Sequence, residues 1–258
     1  MLKKNNFIIA GPCVLETYEK AEEIYLFCSK VAEKYGFDYV FKASFDKANR
    51  TSIHSDRGAG IEKGKQMFKK LKEKYKCKIT TDVHESYQIK EISEVVDILQ
   101  IPAFLCRQTD LLVSAGRSNK IVNIKKGQFA SIKHMEEAVK KVKSVSNNLV
   151  FCTERGTFFG YSDLVVDFRN IKEMNKICDS TIIDFTHSCQ KYSGGSTTDG
   201  DNSYSKPIAV SGKLWGCSGF FGEVHMDPKS SPSDKNTILN FSQFEDVIKS
   251  ISEAKCLI

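Results

Sequence analysis

Short runs of β-branched and aromatic residues recur along the chain, and most give way to a stretch whose apolar positions fall three and four apart. The first pattern marks strands and the second marks helices with one buried face. Strands are predicted at 7–10, 39–42, 79–83, 98–101, 121–124, 149–153, 181–186 and 219–224. Helical spacing is clearest at 17–34, 62–75, 87–95, 134–145 and 242–254, and weaker at 111–118, 168–177 and 207–215. Strands alternating with helices imply parallel pairing, and eight such units predict an α/β fold closed into a (β/α)8 TIM barrel rather than an open sheet. At 258 residues the chain has the length of one barrel, so 1–258 is expected to be a single catalytic domain.

A barrel of this kind carries its site at the carboxyl ends of the strands. The residues at or just past those ends are Cys13, Lys42, Asp82, Gln100, Lys125, Arg155, His187 and Glu223, so every strand delivers a polar group. Such groups are costly to bury without partners, and their coincidence points to a site that pairs them with ligands. The densest stretch is 41–52, where Lys42, Lys47 and Arg50 crowd one turn together with Asn49 and Thr51. Cations on a helix would be an ordinary solvated face. Here they leave a buried strand, Tyr39-Val40-Phe41, which fits a phosphorylated, anionic substrate.

A second set gathers by topology. In a closed barrel the first strand lies beside the eighth and the eighth beside the seventh, so Cys13, His187, Glu223 and the nearby Asp234 converge on one sector. Taken singly, Cys13 reads as a buried structural thiol and His187 as a hydrogen-bonded histidine. Together, a thiolate, an imidazole and two carboxylates suit a divalent metal of borderline softness: Zn²⁺, Fe²⁺ or Mn²⁺. His84 and His225 are spare candidates.

Composition narrows the rest. The nine cysteines are scattered with no CxxC pair, which predicts reduced core thiols rather than a disulfide framework or a zinc ribbon. The net charge of +6 comes largely from lysines on helical stretches such as 69–74, a solvated face and not a nucleic-acid site. The apolar run before Gly11-Pro12 is too short for a membrane span or a signal core, so a cytoplasmic location is expected. The Gly/Ser/Thr/Asp-rich stretch 191–201 reads equally as a lid and as a plain connection.

Nearly the whole chain is covered by blocks with a familiar wording: IAGPC (9–13), KASFDKANRTS (42–52), TDVHE (81–85), LQIPAFLCRQTDL (99–111), NIKKGQF (123–129), ERG (154–156) with FGY and LVVD, DFTHSCQ (184–190) and EVHMDP (223–228). In this order they closely resemble the 3-deoxy-D-manno-octulosonate 8-phosphate (KDO8P) synthase family. The resemblance implies condensation of phosphoenolpyruvate with arabinose 5-phosphate and water, giving KDO8P and inorganic phosphate for lipopolysaccharide biosynthesis. Cysteine after Gly-Pro implies the metal-dependent class, with Cys13, His187, Glu223 and Asp234 as ligands. It further implies that Lys47, Asn49, Lys125, Arg155 and His187 act in catalysis, and that phosphoenolpyruvate lies on Lys42, Lys47, Lys125 and Arg155 beside Gln100 and the Ala103 backbone.

Asp82 and Gln190 complete the implied substrate contacts, while Asn49, Arg50 and Thr51 would meet the sugar phosphate, helped by Arg107 from a neighbouring subunit of a homotetramer. Thr51 replaces the usual serine of the family, and both 191–201 and Val224-His225-Met226-Asp227 depart from its usual wording. The nearest rival is the seven-carbon 3-deoxy-arabinoheptulosonate 7-phosphate synthase, which usually has a KPR-type block where this chain has Ala48-Asn49-Arg50. The residues also permit a Schiff-base mechanism through Lys42 or Lys125, and a barrel that binds sugar phosphate without catalysis.

Overall fold

Eight parallel strands close into a barrel in the computed structural model, which describes residues 6–48, 53–54, 56–159, 163–191 and 199–256. The chain runs β1 (Phe7–Gly11), α1 (Tyr18–Lys34), β2 (Asp38–Lys42), α2 (Gly60–Tyr75), β3 (Lys78–Asp82), α3 (Ser86–Ile92), β4 (Ile98–Ile101), α4 (Thr109–Arg117), β5 (Ile121–Lys125) and α5 (Ile132–Lys143). It continues through β6 (Val150–Glu154), α6 (Arg169–Met174), β7 (Ser180–Asp184), a small ribbon of β8 (Gln190–Lys191) and β9 (Asp199–Gly200), α7 (Ser205–Leu214), β10 (Gly219–Glu223) and α8 (Phe241–Glu253). The strand order β1-β10-β7-β6-β5-β4-β3-β2 returns to β1, as the alternating pattern predicted. Two differences matter. The ribbon was not foreseen, and β7 stops at Asp184, two residues short of its predicted end.

Side chains alternate across each strand, so one residue in two points into the barrel. The inward residues change character along the strands. Phe7, Ile9, Val40, Ile98, Phe151, Ile182 and Phe221 fill one layer, with the Phe7 and Phe151 rings 5.4 Å apart. Burying each such side chain contributes about 1.5–3 kcal/mol, and together they make the interior solid rather than a channel. Above them, at the carboxyl ends, the inward positions are polar: Lys42, Asp82, Gln100, Asn123, Lys125, Thr153, Asp184 and Glu223 are all buried. The outward residues pack beneath the helices in two larger apolar clusters.

Local chemistry sets the ends of the elements. Thr17 caps α1 by accepting from the Lys20 backbone N–H at 3.3 Å, and Asn240 with Gln243 forms a reciprocal capping box on α8. Gly11 permits a close crossing of β1 and β2, since a Cβ there would sit 2.0 Å from the Lys42 carbonyl oxygen. That approach holds Cys13 over the mouth. Cys28, Cys77, Cys106, Cys152, Cys189 and Cys217 are buried without disulfides, as the scattered spacing predicted. Among the described residues, no helix is long and apolar enough to cross a membrane.

Candidate active site

Parallel register places like positions of neighbouring strands side by side, and Asp82, Gln100 and Asn123 are direct partners across β3, β4 and β5. Their side chains join into a belt. Thr153 Oγ1 donates to Asn123 Oδ1 at 2.8 Å, Asn123 Nδ2 donates to Gln100 Oε1 at 3.1 Å, and Gln100 Nε2 donates to Asp82 Oδ1. Ser44 Oγ donates to the other Asp82 oxygen. Of these, Asn123, Thr153 and Ser44 were not predicted. Asn123 and Thr153 lie inside strand runs and Ser44 just past β2, and as small neutral residues none carries a charge that would mark it in a sequence.

The opposite half of the mouth is ionic. Lys42 Nζ donates to Ser44 Oγ at 2.9 Å and lies 3.3 Å from both Asp82 and Glu223. Lys125 Nζ is 2.7 Å from Asp184 Oδ2 and 3.7 Å from the centre of the Phe221 ring. Asp184 also accepts from the backbone N–H of His187 at 2.8 Å and from Thr186. Burial alone would raise the Asp184 carboxyl, but His187, then Lys125 and Arg155, hold it far below the usual carboxylate range. Burial lowers Lys125 from its ordinary value, with Asp184 opposing. Asp184 is the principal residue that sequence reasoning missed, although it opens the DFTHSCQ block.

Arg155 shows what the mouth lacks. Its Nη2 donates to Gln190 Oε1 and, at 3.4 Å, to the His187 carbonyl, while the buried Nη1 has no partner among the described residues. A buried donor left unsatisfied costs about 1–3 kcal/mol, which an oxyanion would recover. Lys47 stands nearby with Nζ 3.9 Å from Glu223. Burial opposes its charge, yet Cys13, Glu223, Asp82 and Asp234 raise it above its ordinary value.

Cys13, Glu223 and Asp234 bring one ligand atom each within 4.8 Å of one another. His187 stands against this group, with Nε2 3.6 Å from Glu223 Oε1 and Nδ1 2.9 Å from Asp184 Oδ2. A carboxylate beside one imidazole nitrogen is the usual way of aiming the other at a metal. Asp234 adopts a left-handed backbone with φ of 54°, and Gln190 Nε2 at 2.7 Å and Ser233 Oγ at 2.6 Å fix its two oxygens. The Cys13 thiol donates to Asp234 Oδ2 at 3.3 Å, and burial, then Glu223, push it above the ordinary thiol range. Four cations, Lys42, Lys47, Lys125 and Arg155, here face four carboxylates, Asp82, Asp184, Glu223 and Asp234. With charges so balanced, a substrate rich in negative charge needs an added cation, and the soft and hard donors present fit a borderline divalent ion.

The other predicted residues divide. Ala103 is buried at the end of β4, on the same rim as Gln100, and Gln190 bridges Arg155 and Asp234. Arg107 is exposed just beyond that rim, its carbonyl accepting from Lys141 at 3.1 Å. Asn49, Arg50 and Thr51 lie outside the described residues, as do 192–198 of the glycine-rich stretch. His225 is engaged away from the ligand group, with Nε2 3.0 Å from Glu16 Oε1 and Nδ1 2.6 Å from the Asp227 carbonyl. His84 packs edge-on against Phe45, and burial lowers its pKa.

A closed parallel barrel whose carboxyl-end mouth gathers a cation cluster, a thiol and carboxylates has the architecture of a TIM-barrel enzyme. Residues 3–258 match the profile of the DAHP synthetase I family. The chain is 46% identical to the 2-dehydro-3-deoxyphosphooctonate aldolase of Fusobacterium nucleatum over 248 residues, which are 96% of this chain and 89% of that protein. It is 44% identical to the protein of the same name from Helicobacter acinonychis, covering 93% of this chain and 92% of that one. Against the Desulfotalea psychrophila aldolase the identity is 40%, covering 97% and 90%. The chain therefore belongs to the DAHP synthetase I family and, within it, to the 2-dehydro-3-deoxyphosphooctonate aldolases, also called KDO8P synthases.

Proposed function

We propose that this chain condenses phosphoenolpyruvate with arabinose 5-phosphate and water to give KDO8P and inorganic phosphate. The observation that carries the reading is the unpartnered, buried Nη1 of Arg155, which shares the neighbouring charge of Asp184 with Lys125 and that of Asp234 with Lys47, in a site suited to an oxyanion. Its relatives' names agree with it.

In the reaction the C3 carbon of the enol attacks the sugar aldehyde, and the electron deficiency passes to C2. Water then supplies hydroxide to C2 and a proton to the former aldehyde oxygen. The resulting phosphohemiketal breaks its C2–O bond, the hydroxyl proton leaves with phosphate, and C2 becomes a ketone. Lys47, Lys125 and Arg155 hold the carboxylate and phosphate charge throughout, already oriented before substrate arrives. Gln100 and the Ala103 backbone line the adjoining rim, and Asp82 fixes Gln100. Cys13, His187, Glu223 and Asp234 would hold Zn²⁺, Fe²⁺ or Mn²⁺, which supplies Lewis-acid charge for orienting the aldehyde or water.

Phosphate release measured with each sugar tests the reading. Arabinose 5-phosphate is expected to give a far higher kcat/KM than erythrose 4-phosphate, because the Ala48-Asn49-Arg50 wording is that of the eight-carbon family and not the KPR type of the seven-carbon one. Equal values would move the chain to the seven-carbon reaction, and no release with either would leave a binding barrel.

Arg107 extends the proposal to a homotetramer in which it serves a neighbour's sugar phosphate. Its exposed position beyond the β4 rim supports that role. A charge-assisted contact contributes about 1.5–3 kcal/mol, so Arg107→Ala should raise the KM for arabinose 5-phosphate about 10- to 150-fold and spare that for phosphoenolpyruvate. Activity should return in hybrids of Arg107→Ala with His187→Ala. Verified hybrids without activity would return Arg107 to an ordinary surface role.

A further inference from the structure

Directly behind the two cations of the mouth lies a second ion pair that the reaction does not use. Lys126 and Glu154 are both fully buried, with Nζ 3.5 Å from Oε1. Each follows or precedes a site residue by one position, Lys125 on β5 and Arg155 after β6. The period of two turns the members of each pair to opposite faces of the barrel wall. Lys125 therefore faces Asp184 inside, while Lys126 is held outside by the β6–α6 connection.

The outer pair is fully engaged. Lys126 Nζ donates to the carbonyls of Gly127 at 3.3 Å and Gly156 at 3.2 Å, and to Thr157 Oγ1 at 3.1 Å. Glu154 Oε1 accepts from the Gly156 backbone N–H at 2.7 Å, and Oε2 accepts from Asn170 Nδ2 at 3.1 Å. These contacts tie the turn after β5 to the turn after β6 and to the first turn of α6. As a source of stability the pair is a poor choice, since well-packed apolar residues usually match a buried ion pair. What it does supply is direction. Fixed hydrogen bonds on both sides of Arg155 leave its backbone one position, and the same bonds fix the turn beyond Lys125.

We propose that Lys126 and Glu154 are positioning residues that aim Lys125 and Arg155 at the phosphoenolpyruvate anion. The inference rests on the condensation reading above. It assigns them no contact with substrate: the clamp acts through the strand ends. A catalytic or binding cation misplaced by about 1 Å can cost up to about 100-fold in rate, so the effect should be visible without loss of fold.

The test is the double variant Lys126→Met with Glu154→Gln, which removes both charges at nearly constant volume and leaves neither one uncompensated. A folded double variant should show a rise of about tenfold or more in the KM for phosphoenolpyruvate, a lower kcat, and an unchanged KM for arabinose 5-phosphate. Asn170→Ala, a half-buried change that keeps both charges, should move the phosphoenolpyruvate KM the same way by about threefold. It answers the question if the double variant does not fold. Unchanged kinetics in the folded variants would overturn the clamp, and so would an equal rise in both KM values, which is what general loosening produces. Wild-type protein is assayed first. Failure of wild type to release phosphate from the two substrates is a failure of the condensation reading, whereas an active wild type with indifferent variants counts against the clamp alone.

Discussion

Asp184→Asn is expected to lower the stability of the protein by about 3–5 kcal/mol and its kcat/KM for phosphoenolpyruvate by at least about 100-fold. The substitution keeps the shape and removes the charge. Lys125 then remains buried 2.7 Å from a neutral amide, and burial already lowers its pKa while Asp184 opposes that shift. With the opposing charge gone, the ammonium either stays charged at a large desolvation cost, which lowers stability, or loses its proton, which removes a cation from the mouth. His187 suffers as well, because Asp184 lies beside its Nδ1 and accepts from its backbone N–H. Urea denaturation and steady-state kinetics on the same preparation check both halves. A loss below about 1 kcal/mol with normal kinetics would show that Lys125 does not depend on Asp184.

Chelation of divalent ions is expected to reduce phosphate release to background, with recovery on adding Zn²⁺, Fe²⁺ or Mn²⁺. A thiol must lose its proton to bind a metal, and Cys13 is held as the thiol by burial and by Glu223. Reloading the stripped protein near neutral pH should therefore release about one proton per chain, measurable with a weakly buffered indicator dye. Cys13→Asn should fold, abolish that proton release, and keep partial activity that chelators no longer remove. Full activity in protein shown to be metal-free would remove the metal from the proposal, and activity of Cys13→Asn that still needs metal would remove Cys13 from the ligands.

The strands were legible because their runs are short and most are followed by a helical pattern, so the barrel rule could turn strand ends into site residues. Lys42, Asp82, Gln100, Lys125, Arg155 and Glu223 all reach one mouth for that reason. Asp184 escaped because Thr181-Ile182-Ile183-Asp184-Phe185-Thr186 keeps its β-branched and aromatic character past the true strand end, which placed the carboxylate in mid-strand. Lys126 and Glu154 escaped for the opposite reason. They sit one residue from site positions, and nothing in a sequence says that an outward-facing charge will be covered by the connections above it. Besides the family wording, the ligand group was legible through closure of the barrel, which brings Gly11 of β1 into register with Glu223 of β10.

The belt across β3 to β6 also fixes handedness at a group that would otherwise be ambiguous. A glutamine amide is nearly symmetric in shape and can exchange its oxygen and nitrogen by a half-turn. Gln100 cannot, because its nitrogen is committed to the Asp82 carboxylate and its oxygen to the Asn123 amide. Each end still has capacity for one more partner: one N–H hydrogen and one oxygen lone pair. Gln100 thus offers a visitor a donor on the β3 side and an acceptor on the β5 side, in that order alone. A carboxylate or phosphate oxygen only accepts, so it can meet Gln100 at the N–H on the β3 side and is repelled by the oxygen on the β5 side: the belt decides where along this rim a negative group can rest.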